Sequence, residues 1–131
     1  MVKDWLLKAE SDLKIGKDEI QMEDPATDAI CFHMQQAVEK YLKAFLVFND
    51  KEIRKTHDIA ELVEICKEID HSFEYLYEIK ADKLTLYAVE FRYPGPVLFP
   101  SLEETKETIE IAEKVKAFVL EKLFKRGFEI T

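Results

Sequence analysis

Glycine is scarce in this chain and poorly placed for nucleotide chemistry. Its 3 glycines stand at positions 16, 95 and 127, too far apart for a loop that cradles phosphates with its backbone, so any nucleotide must be held by side chains or a helix N-terminus. No Gly-x-Ser-x-Gly elbow, His-Glu-x-x-His pair or paired Cys-x-x-Cys occurs, which removes the common hydrolase and zinc signatures. The 2 cysteines, Cys31 and Cys66, sit among apolar residues of expected helices, where cysteine behaves as a small hydrophobe. No disulfide framework is expected, and a reducing cytoplasm is the expected location. Long uncharged apolar runs are missing, and Glu10 and Asp12 follow Lys3 and Asp4 too soon for a signal peptide, so no membrane association is expected. Strand-type alternation and Asn-Gly or Asp-Gly hairpin signals are also missing, which leaves an all-α chain.

What is present suits a globular protein. The 131 residues are 47% hydrophobic and 35% charged, enough to bury a core without metal or disulfide, and residues 1–131 read as a single domain. The formal net charge of −8 repels nucleic acid and anionic membranes, so nonspecific nucleic-acid binding is not expected. Between His33 and His57 the balance reverses, because Lys40, Lys43, Lys51, Arg54 and Lys55 outnumber Glu39, Asp50 and Glu52.

Helical periodicity divides the chain. Val2, Trp5, Leu6, Ala9, Leu13, Gly16 and Ile20 share one arc, predicting an amphipathic helix from Val2 to Met22 that Pro25 closes off. Thr27 or Asp28 is placed to cap a long helix from Asp28 to Asn49, apolar round most of its circumference. A third helix begins with Ile59 after an Asp58 and Glu61 capping-box spacing. Phe73 to Ile79 gives a turn or two, and Leu84, Tyr87, Ala88 and Phe91 a fourth segment. Pro94, Gly95, Pro96 and Pro100 interrupt periodicity, and a last helix runs from Leu102 to about Lys125 behind a Ser101 and Glu104 capping box. Three long and about two short helices on short connections predict an antiparallel bundle round the second helix.

Three polar clusters are candidates for function. His33, Gln36, Lys40 and Lys43 form a stripe of roughly 80° on a helix otherwise fit for burial, so each must meet a neighbouring element or a partner molecule. His33 suits either a satisfied core histidine or a ligand contact. Its proximity to Cys31 does not make a metal pair, because two positions apart on a helix the side chains diverge. A buried lysine without an anion is costly, so Lys40 should meet a carboxylate of the bundle or a phosphate. Lys55 and His57 make the second cluster, beside Asp58 as N-cap. Arg92 and Tyr93 make the third, just before Pro94. On the last helix, Ile111, Val115 and Phe118 form an apolar strip beside the main inner face, and a monomer has little use for it. The strip is therefore expected to be the interface of a dimer.

The run Cys31-Phe32-His33-Met34-Gln35-Gln36-Ala37-Val38-Glu39-Lys40-Tyr41-Leu42-Lys43-Ala44 resembles the signature of the HEPN family, named for a nucleotide-binding domain of higher eukaryotes and prokaryotes. Lys55-Thr56-His57-Asp58-Ile59 and Arg92-Tyr93-Pro94 resemble two further blocks of that family in the expected order. The resemblance spans Trp5 to Leu123. It implies a helical bundle like the substrate-binding subunit of nucleotidyltransferases, commonly dimeric and often paired with a minimal nucleotidyltransferase. It also implies nucleotide binding at the candidate residues and no cofactor. Some members are RNases, among them toxins of toxin-antitoxin pairs, that use an arginine followed after four to six residues by a histidine. This chain departs from that spacing: two residues separate Arg54 from His57, and no histidine follows Arg92. The expectation is a non-catalytic binding module, with an RNase toxin or a protein-only adaptor as the alternatives.

Overall fold

A helix with apolar residues on most of its surface must be wrapped by others, and α2 (Thr27–Phe48) is. Ile30, Cys31, Met34, Val38, Tyr41, Leu42, Phe45 and Leu46 on it are all fully buried. The computed structural model describes residues 1–90 and 99–129. Among these, regular structure is entirely helical, with α1 (Val2–Glu19), α3 (Ile59–Ile69), α4 (Tyr75–Glu78), α5 (Thr85–Glu90) and α6 (Leu102–Lys125) completing the set. Single 3₁₀ turns lie at His71–Glu74 and Ala81–Leu84.

α1 and α2 form an antiparallel hairpin. Gly16, near the end of α1, packs on Ile30 and Met34 at the start of α2, while Lys43 near the far end lies over the Trp5 ring, 5.6 Å from its centroid. A Cβ at position 16 would overlap the Met34 methyl, so glycine sets how closely the two helices approach. α6 runs alongside α2 in the same direction and antiparallel to α1. Thr105 and Thr108 at its start lie 3.7 Å from the Cys31 sulfur, and Arg126 just past its end sits 5.7 Å from the Phe45 ring. The short elements between α3 and α6 carry the chain back across the bundle, which is what permits this direction.

Local chemistry sets the starts of α3 and α6. Asp58 caps α3 by accepting from the Ala60 N–H at 3.0 Å, and Ser101 caps α6 by accepting from the Glu104 N–H at 3.0 Å. Neither acidic partner closes a capping box: Glu61 pairs with Arg54 at 3.0 Å, and Glu104 accepts from the Tyr87 phenol. Thr27 and Asp28, expected to cap α2, do not. The N-cap is Ala26, whose N–H donates to Glu19 at 2.9 Å, so the end of α1 caps the start of α2 across the connection. α1 itself stops at Glu19 rather than Met22, and Gln21 and Met22 finish it as a turn.

The strip of Ile111, Val115 and Phe118 is not surplus surface. Val115 is fully buried, and Ile111 and Phe118 pack against the core. Phe118 meets the edge of Phe73 at 5.0 Å and lies 5.2 Å from Tyr75, with the Lys122 ammonium 5.3 Å from its ring centroid. The reason is that α6 packs on α2 through one strip and on the turn from His71 into α4 through the other. A second apolar strip on a helix therefore signals a second intramolecular neighbour here.

Candidate functional site

The polar stripe of α2 faces α1 on one side and the start of α3 on the other, and two buried carboxylates organise it. Asp12 lies on α1 between Ala9 and Leu13, on the side of the helix that faces α2. One of its oxygens is 2.8 Å from His33 Nδ1 and the other 2.5 Å from Lys40 Nζ. Glu39, on α2 itself, accepts from Lys43 Nζ at 2.7 Å through one oxygen. Its other oxygen accepts from Gln35 Nε2 at 3.0 Å and lies 3.2 Å from His57 Nδ1. Gln36 donates to the Gln35 carbonyl oxygen at 2.6 Å, and Gln35 reaches the His57 backbone carbonyl at 3.3 Å.

Each histidine therefore offers Nδ1 to a carboxylate. An ionised carboxylate can only accept, so Nδ1 carries the proton in both rings and Nε2 is the edge turned away from the carboxylate. His57 is half exposed, His33 and Lys40 about a quarter, and the carboxylates beneath them are nearly closed off. Burial pushes the Glu39 carboxyl up, but hydrogen bonds from Lys43, His57 and Gln35 together outweigh it and hold the group below its ordinary range. The stripe is thus charge-balanced, Lys40 by Asp12 and Lys43 by Glu39.

Of the residues expected from sequence, His33, Gln36, Lys40, Lys43 and His57 come together. Lys55 is exposed and stands outside the cluster. Arg54 is bound to Glu61, so Arg54 and His57 have separate partners and do not converge. Arg92 and Tyr93 lie outside the described residues. Asp12, Gln35 and Glu39 were not among the expected residues, although two signals marked them. Asp12 is an acid flanked by the apolar arc of α1, and Gln35, Glu39 and Lys43 follow each other at four-residue spacing.

Among the described residues no group of three or more His, Cys, Asp or Glu is placed to hold a metal. Cys31 and His33 point to different neighbours, Cys31 to Thr105 and Thr108 and His33 to Asp12. Burial raises both thiols, against the threonine hydrogen bonds at Cys31 and unopposed at Cys66, so neither is an activated nucleophile. No described helix is long and apolar enough to cross a membrane.

An all-helical bundle wrapped round one buried helix, whose polar stripe is satisfied by carboxylates, defines a class of small helical-bundle domains. The chain belongs to the HEPN domain family, whose model matches residues 2–123. Its fold is similar to the crystal structure of TT1696 from Thermus thermophilus, with a TM-score of 0.80, 29% identity and coverage of 93% of this chain and 98% of that one. It is also similar in fold to ST0689, an archaeal HEPN homologue, with a TM-score of 0.71, 22% identity and coverage of 94% and 98%. The sequence finds no match among curated proteins.

Proposed function

We propose that the chain is a non-catalytic binding module, a single HEPN-type domain that works in the cytoplasm with a minimal nucleotidyltransferase as its partner. The observation that supports this is the stripe on α2, where His33, Lys40 and His57 reach the surface while Asp12 and Glu39 hold them from below. Groups fixed before contact lose little conformational freedom on binding. Because its lysines are already balanced, the stripe suits a polar protein face better than a free polyphosphate. Nucleotide enters this reading as a second ligand, at exposed Lys55 and the Nε2 edge of His57 near the start of α3. The separation of Arg54 from His57 by their different carboxylates weighs against the RNase reading.

The test is to mix the protein with a minimal nucleotidyltransferase of the same organism and follow mass by size-exclusion chromatography with light scattering. A complex is expected, and the double variant His33→Ala, Lys40→Met should lose it while still melting cooperatively. ATP and GTP are then titrated into the complex by calorimetry. Lys55→Ala should lose the heat and keep the complex. If no complex forms, the reading fails; a complex that takes up no nucleotide leaves the protein-only adaptor.

A further inference from the structure

The two histidines of the stripe are seated alike. His33 Nδ1 lies 2.8 Å from Asp12 and His57 Nδ1 3.2 Å from Glu39, and a lysine already balances each carboxylate, Lys40 at 2.5 Å and Lys43 at 2.7 Å. Among the described residues, the charged groups set against His33 are Asp12 of α1 and, through it, Lys40 of α2. Those set against His57 are Glu39 and, through it, Lys43, both of α2. Asp58, next to His57 in the chain, is turned to the Ala60 N–H, and nearby Arg54 is taken up by Glu61. With both rings neutral the stripe carries no net charge. A proton taken up by either ring therefore adds a positive charge that no carboxylate beneath it offsets, on a chain whose formal net charge is −8.

The proton also reverses what each ring offers. While the carboxylate holds Nδ1–H, Nε2 of a neutral ring presents a lone pair and accepts; once protonated it donates. The stripe is layered in one sense, with Asp12 and Glu39 nearly closed off and His33, Lys40 and His57 standing above them. An outer layer of ammonium and protonatable rings complements an acidic surface. Against a neutral ring, however, a carboxylate would set lone pair to lone pair at Nε2, and only a proton turns that contact into a hydrogen bond. We infer, building on the partner reading above, that the stripe docks a carboxylate-bearing face of the partner protein and takes up a proton from solvent at each histidine as it does so. Histidine changes charge between about pH 5 and 8, where most surface carboxylates stay ionised, so affinity rises as pH falls through that range. The linkage is reciprocal, because the docked carboxylate favours the protonated ring by the same factor as the proton favours the complex.

The test is calorimetry of the chain with its minimal nucleotidyltransferase, in buffers of different ionisation enthalpy, where the change of heat with buffer counts the protons taken up. Near about pH 8 the uptake should approach one proton for each ring, and affinity should rise at least tenfold from there to about pH 6. His33→Gln and His57→Gln should each remove one ring's share of the uptake. His71→Gln, at the exposed third histidine in the turn before α4, should leave uptake and pH dependence as in the wild type. Thermal melts check that each variant is folded. Nitrogen NMR of the free chain needs no variant and should find the Nδ1–H tautomer at both His33 and His57 when the rings are neutral. A complex that forms without proton uptake, an affinity that is flat or falls toward acid, or an Nε2–H tautomer at either ring overturns the inference and leaves the partner reading standing. Absence of a complex across the whole pH range removes both.

Discussion

Glu39 shows what a single side chain contributes at the centre of this protein. It is almost fully buried and holds Lys43, Gln35 and His57 through two oxygens, so its removal strands a buried ammonium and an amide at once. Breaking a buried pair from one side costs more than forming it gains, and Glu39→Gln should destabilise the fold by about 3 kcal/mol in denaturant titration. The pH dependence follows from the direction of its shift. The folded carboxyl lies below its ordinary value of 4.5, so its stabilisation is fully present above that value and is lost as pH falls through the lower, folded value. The stability gap between wild type and Glu39→Gln should accordingly be level near neutrality and narrow in acid below about pH 4.5. A gap unchanged by acid would mean that Glu39 acts through shape rather than charge.

At the scale of elements, the hairpin of α1 and α2 depends on how near the two helices come. Gly16 is a point of close approach, against Met34 and Ile30, both fully buried. Two effects oppose each other when a side chain is added there. Alanine improves helix propensity by about 1 kcal/mol, and the atom it displaces is the flexible methyl end of Met34. Gly16→Ala should therefore fall within about 1 kcal/mol of wild type, whereas Gly16→Leu must part the helices and should cost about 3 kcal/mol. Thermal melts of the pair separate the two effects. Equal losses in both would show that Met34 cannot move.

For the whole molecule, the question is which apolar surfaces close the core. Phe118 belongs to the core, between Phe73 and Tyr75, so Phe118→Ala should cost about 3 kcal/mol and leave the assembly state unchanged at concentrations where both proteins are folded. Light scattering beside a melting curve checks both halves. A change in mass without loss of stability would return the strip on α6 to the role of interface. Leu7 and Ile15 of α1, by contrast, are exposed.

The helices were legible from the chain alone because their signals are local. Apolar spacing along α2, Asp58 before α3 and Ser101 before α6 act within a turn or two, and their geometry is the same wherever the helix packs. The three blocks that resemble the HEPN family were equally legible, and so was the stripe of His33, Gln36, Lys40 and Lys43 as a line of polar groups that needed partners. Which partners they find is not a local property. Asp12 stands 21 residues from His33 and 28 from Lys40, and only the antiparallel closure of α1 on α2 brings it between them. The same holds for Phe118, whose face is covered by a turn far along the chain. A one-dimensional pattern fixes which side of a helix seeks burial, because hydrophobicity is carried by each residue separately. The choice between a neighbour in the same chain, a carboxylate and a second molecule is made by packing, which is decided only when all the helices are in place.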